Sequence, residues 1–388
     1  MSVADCVFYG DDTTPRTSAA VSSDAPDIPL PEDDTPRRVD KRKNVEKLWR
    51  KGTSRWRYAG DGESDSDTIH RRRSAPRMHQ VVRPENERDA IIIEVGGPTI
   101  TLLDGDEEVR ARPRRSTTTE NPGSSLIVIG DRVRYLDAGV GEAIVSHVYA
   151  RRTALSRTSI IDRDVADVLV ANIDLLVIVG AASNELLRPG LIDRYLIAAA
   201  MGGLDALILI NKMDLVDDED LAVVTDITAM YRDAGYTVLF TSCVTGEGLE
   251  ALHGALKDKL SAFSGHSGVG KTSLLNRIVP DAKEKIAELS DQSQRGIHTT
   301  TKSILYELAD GGFIADTPGI REFGLFFFDK IDLHTYYPEF VRFADRCHYA
   351  SCTHTHEPGC AVIQAVEDDE IHPLRYKNYL QIFESEGR

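Results

Sequence analysis

The chain has little with which to brace itself covalently. Its 388 residues include five cysteines; Cys347, Cys352 and Cys360 fall close together, whereas Cys6 and Cys243 stand alone. That scarcity argues against a disulfide framework and leaves the cluster needing another explanation. No apolar run approaches the roughly 18 uninterrupted residues of a membrane span, so a soluble protein is expected. The opening "MSVADCVFYGDDTTPRTSAA" carries aspartates where a secretory signal would be apolar, and lacks the Arg-rich, acid-poor character of a transit peptide. The cytoplasm is therefore the expected compartment. An excess of positive charge is also missing: 62 acids against 46 Lys and Arg leave a formal net charge of −16, which argues against a uniformly basic nucleic-acid binder.

The charge that is present is unevenly spread. Residues 1–35 hold eight acids and one base, whereas residues 37–57 hold ten Lys or Arg against Asp40 and Glu46. Residues 1–88 have little apolar periodicity, many turn formers and charge blocks, and read as a disordered tail. Within it the basic segment 37–57 contains both tryptophans, Trp49 and Trp56. Cations for phosphates beside rings for base stacking suit RNA; a solvated basic tail without a partner is the bland alternative.

A length of 388 residues suggests several domains at roughly 100–200 residues each. From 89 to 157, the runs "AIIIEVGG", "TITLLDGDEEV", "SLIVIGDRVRYLD" and "GEAIVSHVYA" are β-branched and separated by Gly and Asp turns. They predict a small antiparallel barrel, of which the five-stranded OB-fold is the common form. From about 165 the texture changes to buried strands alternating with helices: "DLLVIVGAA", "GLIDRYLIAAAMGG", "DALILINK", "DLAVVTDITAMYRDAG" and "YTVLFTS". Near-continuous apolar strands with helical crossovers predict a parallel α/β sheet.

Inside that α/β region, "GHSGVGKT" satisfies the G-x-x-x-x-G-K-[ST] pattern. Gly265, His266, Ser267, Gly268, Val269 and Gly270 form a loop whose amides can wrap phosphate oxygens. Lys271 would reach the β- and γ-phosphates, Thr272 would ligate magnesium, and Ser273 continues the contact into the following helix. The preceding "KLSAFS" is a weak strand, interrupted by Ser261 and Ser264. Selection between bases comes from "NKMD": at the end of the strand "ALILI", the Asp214 carboxylate can accept from guanine N1–H and the 2-amino group, which adenine lacks. Asn211 and Lys212 would line the base and tie it to the phosphate loop, and "TSCVTGEGL" offers Ser242 and Cys243 as a second base loop. Downstream, "RGIHTTTKS" brings Thr299, Thr300 and Thr301 to close over magnesium and the γ-phosphate. "FIADTPG" ends a strand in Asp316, placed to hold magnesium through water, and in Gly319, whose amide would sense the γ-phosphate.

These elements run in the order base loop, second base loop, phosphate loop, first switch, second switch, whereas GTPases ordinarily begin at the phosphate loop. A circular permutation accounts for the order, because a compact sheet with neighbouring ends can be joined there and cut elsewhere. With a barrel before the permuted domain and a Cys/His cluster after it, the chain resembles the RsgA (YjeQ) family of small ribosomal subunit biogenesis GTPases. The matching stretches run from "IVIGDRV" and "ALSR" through "VANIDLLVIV", "RPGLIDRYLIAA", "NKMDL", "SGVGKTSLLN", "GIHTTT" and "DTPGIREFGL" to "CHYASCTHTHEPGCAVIQAV" and "RYKNYLQI". They span roughly residues 90–383.

The resemblance implies an N-terminal OB-fold domain at 89–157, a circularly permuted α/β P-loop GTPase domain at 158–325 and a C-terminal, mainly helical zinc-binding domain at 326–388. It implies a GTP hydrolase that acts on the small (30S) ribosomal subunit and its rRNA late in maturation, with magnesium accompanying GTP. A monomer is expected. Departures from the family pattern include Cys243, where alanine is usual, Thr272 in place of serine, and the acidic first 35 residues.

The cysteine cluster supplies three thiolates. His348, His354 and His356 compete for the fourth place in a tetrahedral Cys₃His set around one structural Zn²⁺, and the family pattern favours Cys347, Cys352, His354 and Cys360. Such a set leaves no open position for catalysis. After "DTPG" the chain has Ile320 where GTPases of the Ras type place a water-orienting glutamine, so intrinsic hydrolysis should be slow. His298 is the candidate water-positioning group, by chemistry and by resemblance, with Lys271 and Thr300 as the other catalytic residues; contact with rRNA or packing within the loop is its alternative role. Two rival readings remain at this level. One is a GTP-responsive rRNA-binding module with negligible turnover. The other is a P-loop kinase or ATPase, which Asp214 disfavours.

Overall fold

The computed structural model describes residues 87–97, 99–121, 124–137, 143–158, 166–183, 187–279, 302–317 and 329–385. The acidic and basic segments of the tail, the switch residues His298, Thr299, Thr300 and Thr301, and Gly319 and Ile320 lie outside them.

Five strands open the described chain: β1 (Glu87–Val95), β2 (Ile100–Asp104), β3 (Glu107–Thr119), β4 (Arg132–Asp137) and β5 (Ala143–Val148). They pair in the order β1-β2-β3-β5-β4, and a β1–β4 pairing closes the ring into a barrel. All neighbours are antiparallel except β3 and β5. Alternation sets the interior: Ala90 and Ile92, Ile100 and Leu102, Val133 and Tyr135, and Ala143 and Val145 point inward at every second position.

The expected strand over "SLIVIGDRVRYLD" forms only in its second half. The Asp131 carboxylate accepts from the Val128 amide at 2.8 Å and from two nitrogens of Arg151 at 2.7 and 2.8 Å. That turns the backbone before β4 and leaves Val128 and Ile129 as a buried strut, with Ile129 bridging to Val170. A two-stranded hairpin follows, β6 (Ala154–Thr158) with β7 (Ala166–Ala171), which the periodicity did not reveal.

The second body of structure is a sheet of β8 (Leu175–Ala181), β9 (Asp205–Asn211), β10 (Thr237–Phe240), β11 (Leu260–Ser264), β12 (Ser303–Glu307) and β13 (Phe313–Asp316). Its spatial order is β10-β9-β8-β11-β13-β12, parallel except for β12. The weak strand "LSAFS" is thus β11, buried along its whole length between β8 and β13. Its small serines are what a central strand covered on both faces can accommodate.

Helices α1 (Pro189–Gly202) and α2 (Asp218–Asp233) cover one face, against Leu176, Ile178, Ile208 and Ile210; α3 (Leu249–Leu256) and α4 (Lys271–Ile278) cover the other, against Leu175, Val177, Leu207 and Leu209. The start of α2 follows from its sequence: Asp217 caps it by accepting the Asp220 amide at 2.8 Å, and Asp218, Glu219 and Asp220 favour the positive end of its dipole. The sheet runs on into the barrel, because β12 pairs antiparallel with β1 and Lys302 bonds Glu94 at 2.8 Å.

After a 3₁₀ turn (Lys330–Tyr336) come α5 (Pro338–Ala344), α6 (Ala361–Glu367) and α7 (Pro373–Ser385). Their Tyr337, Phe340, Val362, Tyr379 and Ile382 share one apolar core with α1 and α2. At its centre is a buried charge cluster. Arg375, 2% exposed, donates to Asp193 of α1 and, at 2.5 Å, to Glu339. Asp193 also accepts from Tyr231 at 2.7 Å and Asn378 at 2.7 Å, and the guanidinium lies 4.4 Å from the Tyr337 ring centre. Burial opposes the Arg375 charge, but Asp193 and Glu339 outweigh it and hold its pKa well above the usual arginine value.

Removing one member of such a cluster strands the others without a countercharge. Arg375→Leu should destabilise the protein by about 3–5 kcal/mol, read as a lower midpoint of urea unfolding.

Candidate nucleotide site and metal centre

The parallel strands β8, β9, β11 and β13 end on one side of the sheet, and the neighbouring strands β8 and β11 lead away in opposite directions, β8 to β9 and β11 to β13. The crevice beyond such strand ends is where open α/β sheets bind ligands, and the sequence-predicted nucleotide residues gather there. Gly265 leaves β11 at φ +143°, where a Cβ would lie 2.2 Å from the Val179 carbonyl oxygen. Val269, fully buried, anchors the loop, while Ser267 and Gly268 are exposed and His266 bonds the Ser267 carbonyl through Nδ1 at 2.7 Å. Lys271 opens α4 with its Nζ folded over the loop, 2.6 Å from the Gly265 oxygen and 2.8 Å from that of His266. Thr272 and Ser273 are exposed in the first turn of α4, where helix amides converge on an anion.

Asn211 ends β9 and is 1% exposed. Its Nδ2 donates to the Val269 carbonyl at 3.0 Å, while its Oδ1 accepts from Thr241 Oγ1 at 3.2 Å and the Cys243 thiol at 3.7 Å. Burial pushes the Cys243 thiol up, so it remains a donor. Lys212 adopts the left-handed conformation at φ +65° and turns the chain into the short 3₁₀ segment that presents Asp214 at the surface. Ser242, fully buried, donates to Asp214 Oδ1 at 2.5 Å and accepts from the amides of Val244 and Thr245 at 3.1 Å. The two base loops are therefore one hydrogen-bonded unit. Asp316 closes β13, one residue beyond the Ala262–Ala315 pair of β11 and β13, which puts it level with Phe263, two residues before the phosphate loop begins at Gly265. Thr300, His298 and Gly319 lie outside the described residues.

Two contributors escaped sequence reasoning. Thr241 was hidden because its partner is thirty residues away, and Arg277 of α4 because it binds through backbone carbonyls, donating to that of Cys243 at 2.8 and 2.6 Å.

Among the described residues, Cys347, Cys352, His354 and Cys360 offer ligand atoms that all lie within 4.8 Å of one another. His348 and His356 are not in the group; His356 bonds Thr355 instead, at 2.7 Å. Cys347 and Cys360 sulfurs are 3.9 Å apart, and His354 Nδ1 is 3.5 and 3.4 Å from them. Bonds of about 2.3 Å to a tetrahedral metal separate two sulfurs by about 3.8 Å, so the donor set fits a thiolate-binding ion. His354 reaches this position in the left-handed region, at φ +57°, a strained backbone of the kind found at ligand clamps. The strain is held by Glu357, which accepts from the Thr353 amide and hydroxyl and from the amides of Thr355 and His356, and by the Tyr379 and Tyr376 hydroxyls on the carbonyls of Thr353 and His354. Without a cation, burial drives the Cys352 thiol up to about 12 and His354 down to about 4; a dication supplies the charge that makes thiolates stable there.

The chain is similar to known proteins. A family model described as RsgA GTPase matches residues 148–326. The "small ribosomal subunit biogenesis GTPase RsgA" of Chlorobaculum parvum is 40% identical over 304 residues, 76% of this chain and 97% of that protein. The protein of the same name from Gemmatimonas aurantiaca is 38% identical over 297 residues, 75% and 95% of the two chains. Among solved structures, YjeQ from Thermotoga maritima superposes with a TM-score of 0.62 at 31% identity, covering 76% of this chain and 97% of its own. YloQ, described as a circularly permuted GTPase, gives 0.61 at 27% identity, covering 77% and 94%.

At Gly270, φ is +100° and a Cβ would stand 2.3 Å from Asn211 Nδ2. Gly270→Ala should push Asn211 off the Val269 carbonyl and weaken guanine nucleotide binding at least about tenfold, measured by equilibrium titration with a fluorescent GDP.

Proposed function

The chain belongs to the RsgA GTPase family, and from that premise we propose that it is a GTP-switched assembly factor that binds the small ribosomal subunit and leaves it on hydrolysis. The observation that carries the nucleotide part is the Asn211 amide, which joins the base strand to the phosphate loop at 3.0 Å while Asp214 is held by Ser242 at 2.5 Å. In this reading Asp214 recognises guanine, with Asn211, Lys212, Ser242 and Cys243 around the base. Residues 265–273 hold the phosphates. Thr272 and Asp316 would hold a magnesium ion bound with GTP, whose charge would offset that of the phosphates. Gly319 and Thr300 report the γ-phosphate, and His298 orients the attacking water in place of the glutamine that Ile320 replaces.

The partner part rests on the names of the relatives, small ribosomal subunit biogenesis GTPases. It is supported by the closed five-stranded barrel, in the order β1-β2-β3-β5-β4 with β3 parallel to β5, which we read as an OB-fold, a frequent nucleic-acid platform. The Cys₃His cluster would hold a structural zinc, which would cross-link the segment between α5 and α6.

Turnover measured with and without purified 30S particles tests the whole. The isolated protein should hydrolyse GTP slowly and the particles should accelerate it. GTP-dependent binding without acceleration would favour the rRNA-binding module instead. His298→Ala should remove most of the stimulation, a factor of about 10²–10⁴ for a positioned acid–base group, and leave GTP affinity nearly intact. Full stimulated turnover in that variant would release His298 from the role.

Elemental analysis of protein purified without chelators should find about one zinc per chain, and Cys352→Ser should lower that content and the unfolding temperature together, since metal binding is linked to folding.

A further inference from the structure

Arg277 sits in the last turn of the helix that starts at the phosphate-loop lysine. Its Nε and Nη2 donate to the Cys243 carbonyl at 2.8 and 2.6 Å, and Nη2 extends to the Val244 carbonyl at 3.4 Å. Both carbonyls belong to the second base loop, which Ser242 and Cys243 already tie to Asp214 and Asn211 from the opposite side. The loop is therefore gripped between the base strand and the phosphate helix. A planar fork that reaches one oxygen with two nitrogens is a geometry an ammonium cannot copy.

We propose that Arg277 is a positioning residue for the base, setting the second base loop so that it donates to the 6-oxo group of guanine. The inference rests on the guanine reading above. Guanine presents two donors, N1–H and the 2-amino group, beside one acceptor, O6. A carboxylate is an acceptor only, so Asp214 takes the donors, and O6 needs an amide from the adjacent loop. The Ser242 amide goes to the Glu247 carbonyl, and those of Val244 and Thr245 go to Ser242 Oγ. Donation to O6 falls to Cys243, the residue whose own carbonyl Arg277 seizes. The same helix thus fixes the phosphates through Lys271 and the base through Arg277, and loss of the clamp should loosen one end of the nucleotide only.

Three nucleotides separate this from general damage. Relative to GTP, ITP keeps the 6-oxo group and lacks the 2-amino group, whereas 6-thio-GTP keeps both donors and replaces O6 by the weaker acceptor sulfur. In the full-length protein, Arg277→Ala should weaken GTP and ITP alike by about tenfold and 6-thio-GTP by less than half of that factor. The maximal turnover at saturating GTP should fall less than twofold, so that the change appears in KM. Arg277→Lys should recover part of the affinity. Equal loss for GTP and 6-thio-GTP, or no loss for either, would overturn the role of Arg277 while leaving the guanine site standing. A wild type that binds GTP and ATP equally would sink the guanine reading itself.

Discussion

The parallel pairing of β11 with β8 on one side and β13 on the other is the constraint on which the site depends, because it aligns the ends of strands far apart in the chain. Backbone pairing is indifferent to the order in which strands are synthesised. The chain enters the sheet at β8, moves outward through β9 and β10, and returns to its centre with β11. The phosphate loop consequently emerges next to strands laid down earlier, and Asn211 meets Val269 across 58 positions of sequence. The close approach leaves no room for side chains at Gly265 and Gly270.

The helices after β13 are held to the rest by a different kind of contact. Arg375, Asp193 and Glu339 are charges removed from water, and each is tolerable only with the others in place. The surrounding Tyr231, Tyr337 and Tyr379 supply apolar bodies, and the hydroxyls of Tyr231 and Tyr379 find partners. Directional bonds of this kind give α7 a single seating on α1 in a core otherwise built from non-directional apolar contacts. The Cys₃His loop packs against the same aromatic cluster through Phe340 and Tyr376, so the ligand geometry and the helix docking support each other.

Two of the joints between the barrel and the nucleotide-binding sheet lie among the described residues at β1 and at Asp174. β1 extends the sheet through β12, and Asp174, at the foot of β8, bonds both Arg152 and the Leu260 amide that starts β11. Each joint places a barrel-proximal residue in direct bonding with a strand that leads to the nucleotide site, which gives the two functions proposed for this chain a continuous hydrogen-bonded framework.

Much of this was present in the sequence by itself. Phosphate-loop spacing, the "NKMD" and "DTPG" elements and the Cys/His spacing are local, because each concentrates its chemistry within a dozen or so residues; their order alone disclosed the permutation. Periodicity located the apolar strands β8 and β9 and the helices α1 and α2, where burial is uniform or one-sided. It missed the β6–β7 hairpin and misread "SLIVIG" as a strand, since an apolar run cannot reveal that the Asp131 and Arg151 side chains take the backbone's place as bonding partners. Nor could it choose among His348, His354 and His356, because which imidazole faces three sulfurs depends on a left-handed turn at His354 and on Glu357 holding it. Thr241, Arg277 and the Arg375 cluster were decided by tertiary structure alone: their bonds span 30 to 185 residues, and a hydrogen bond across that separation exists only once the fold has brought the two elements together.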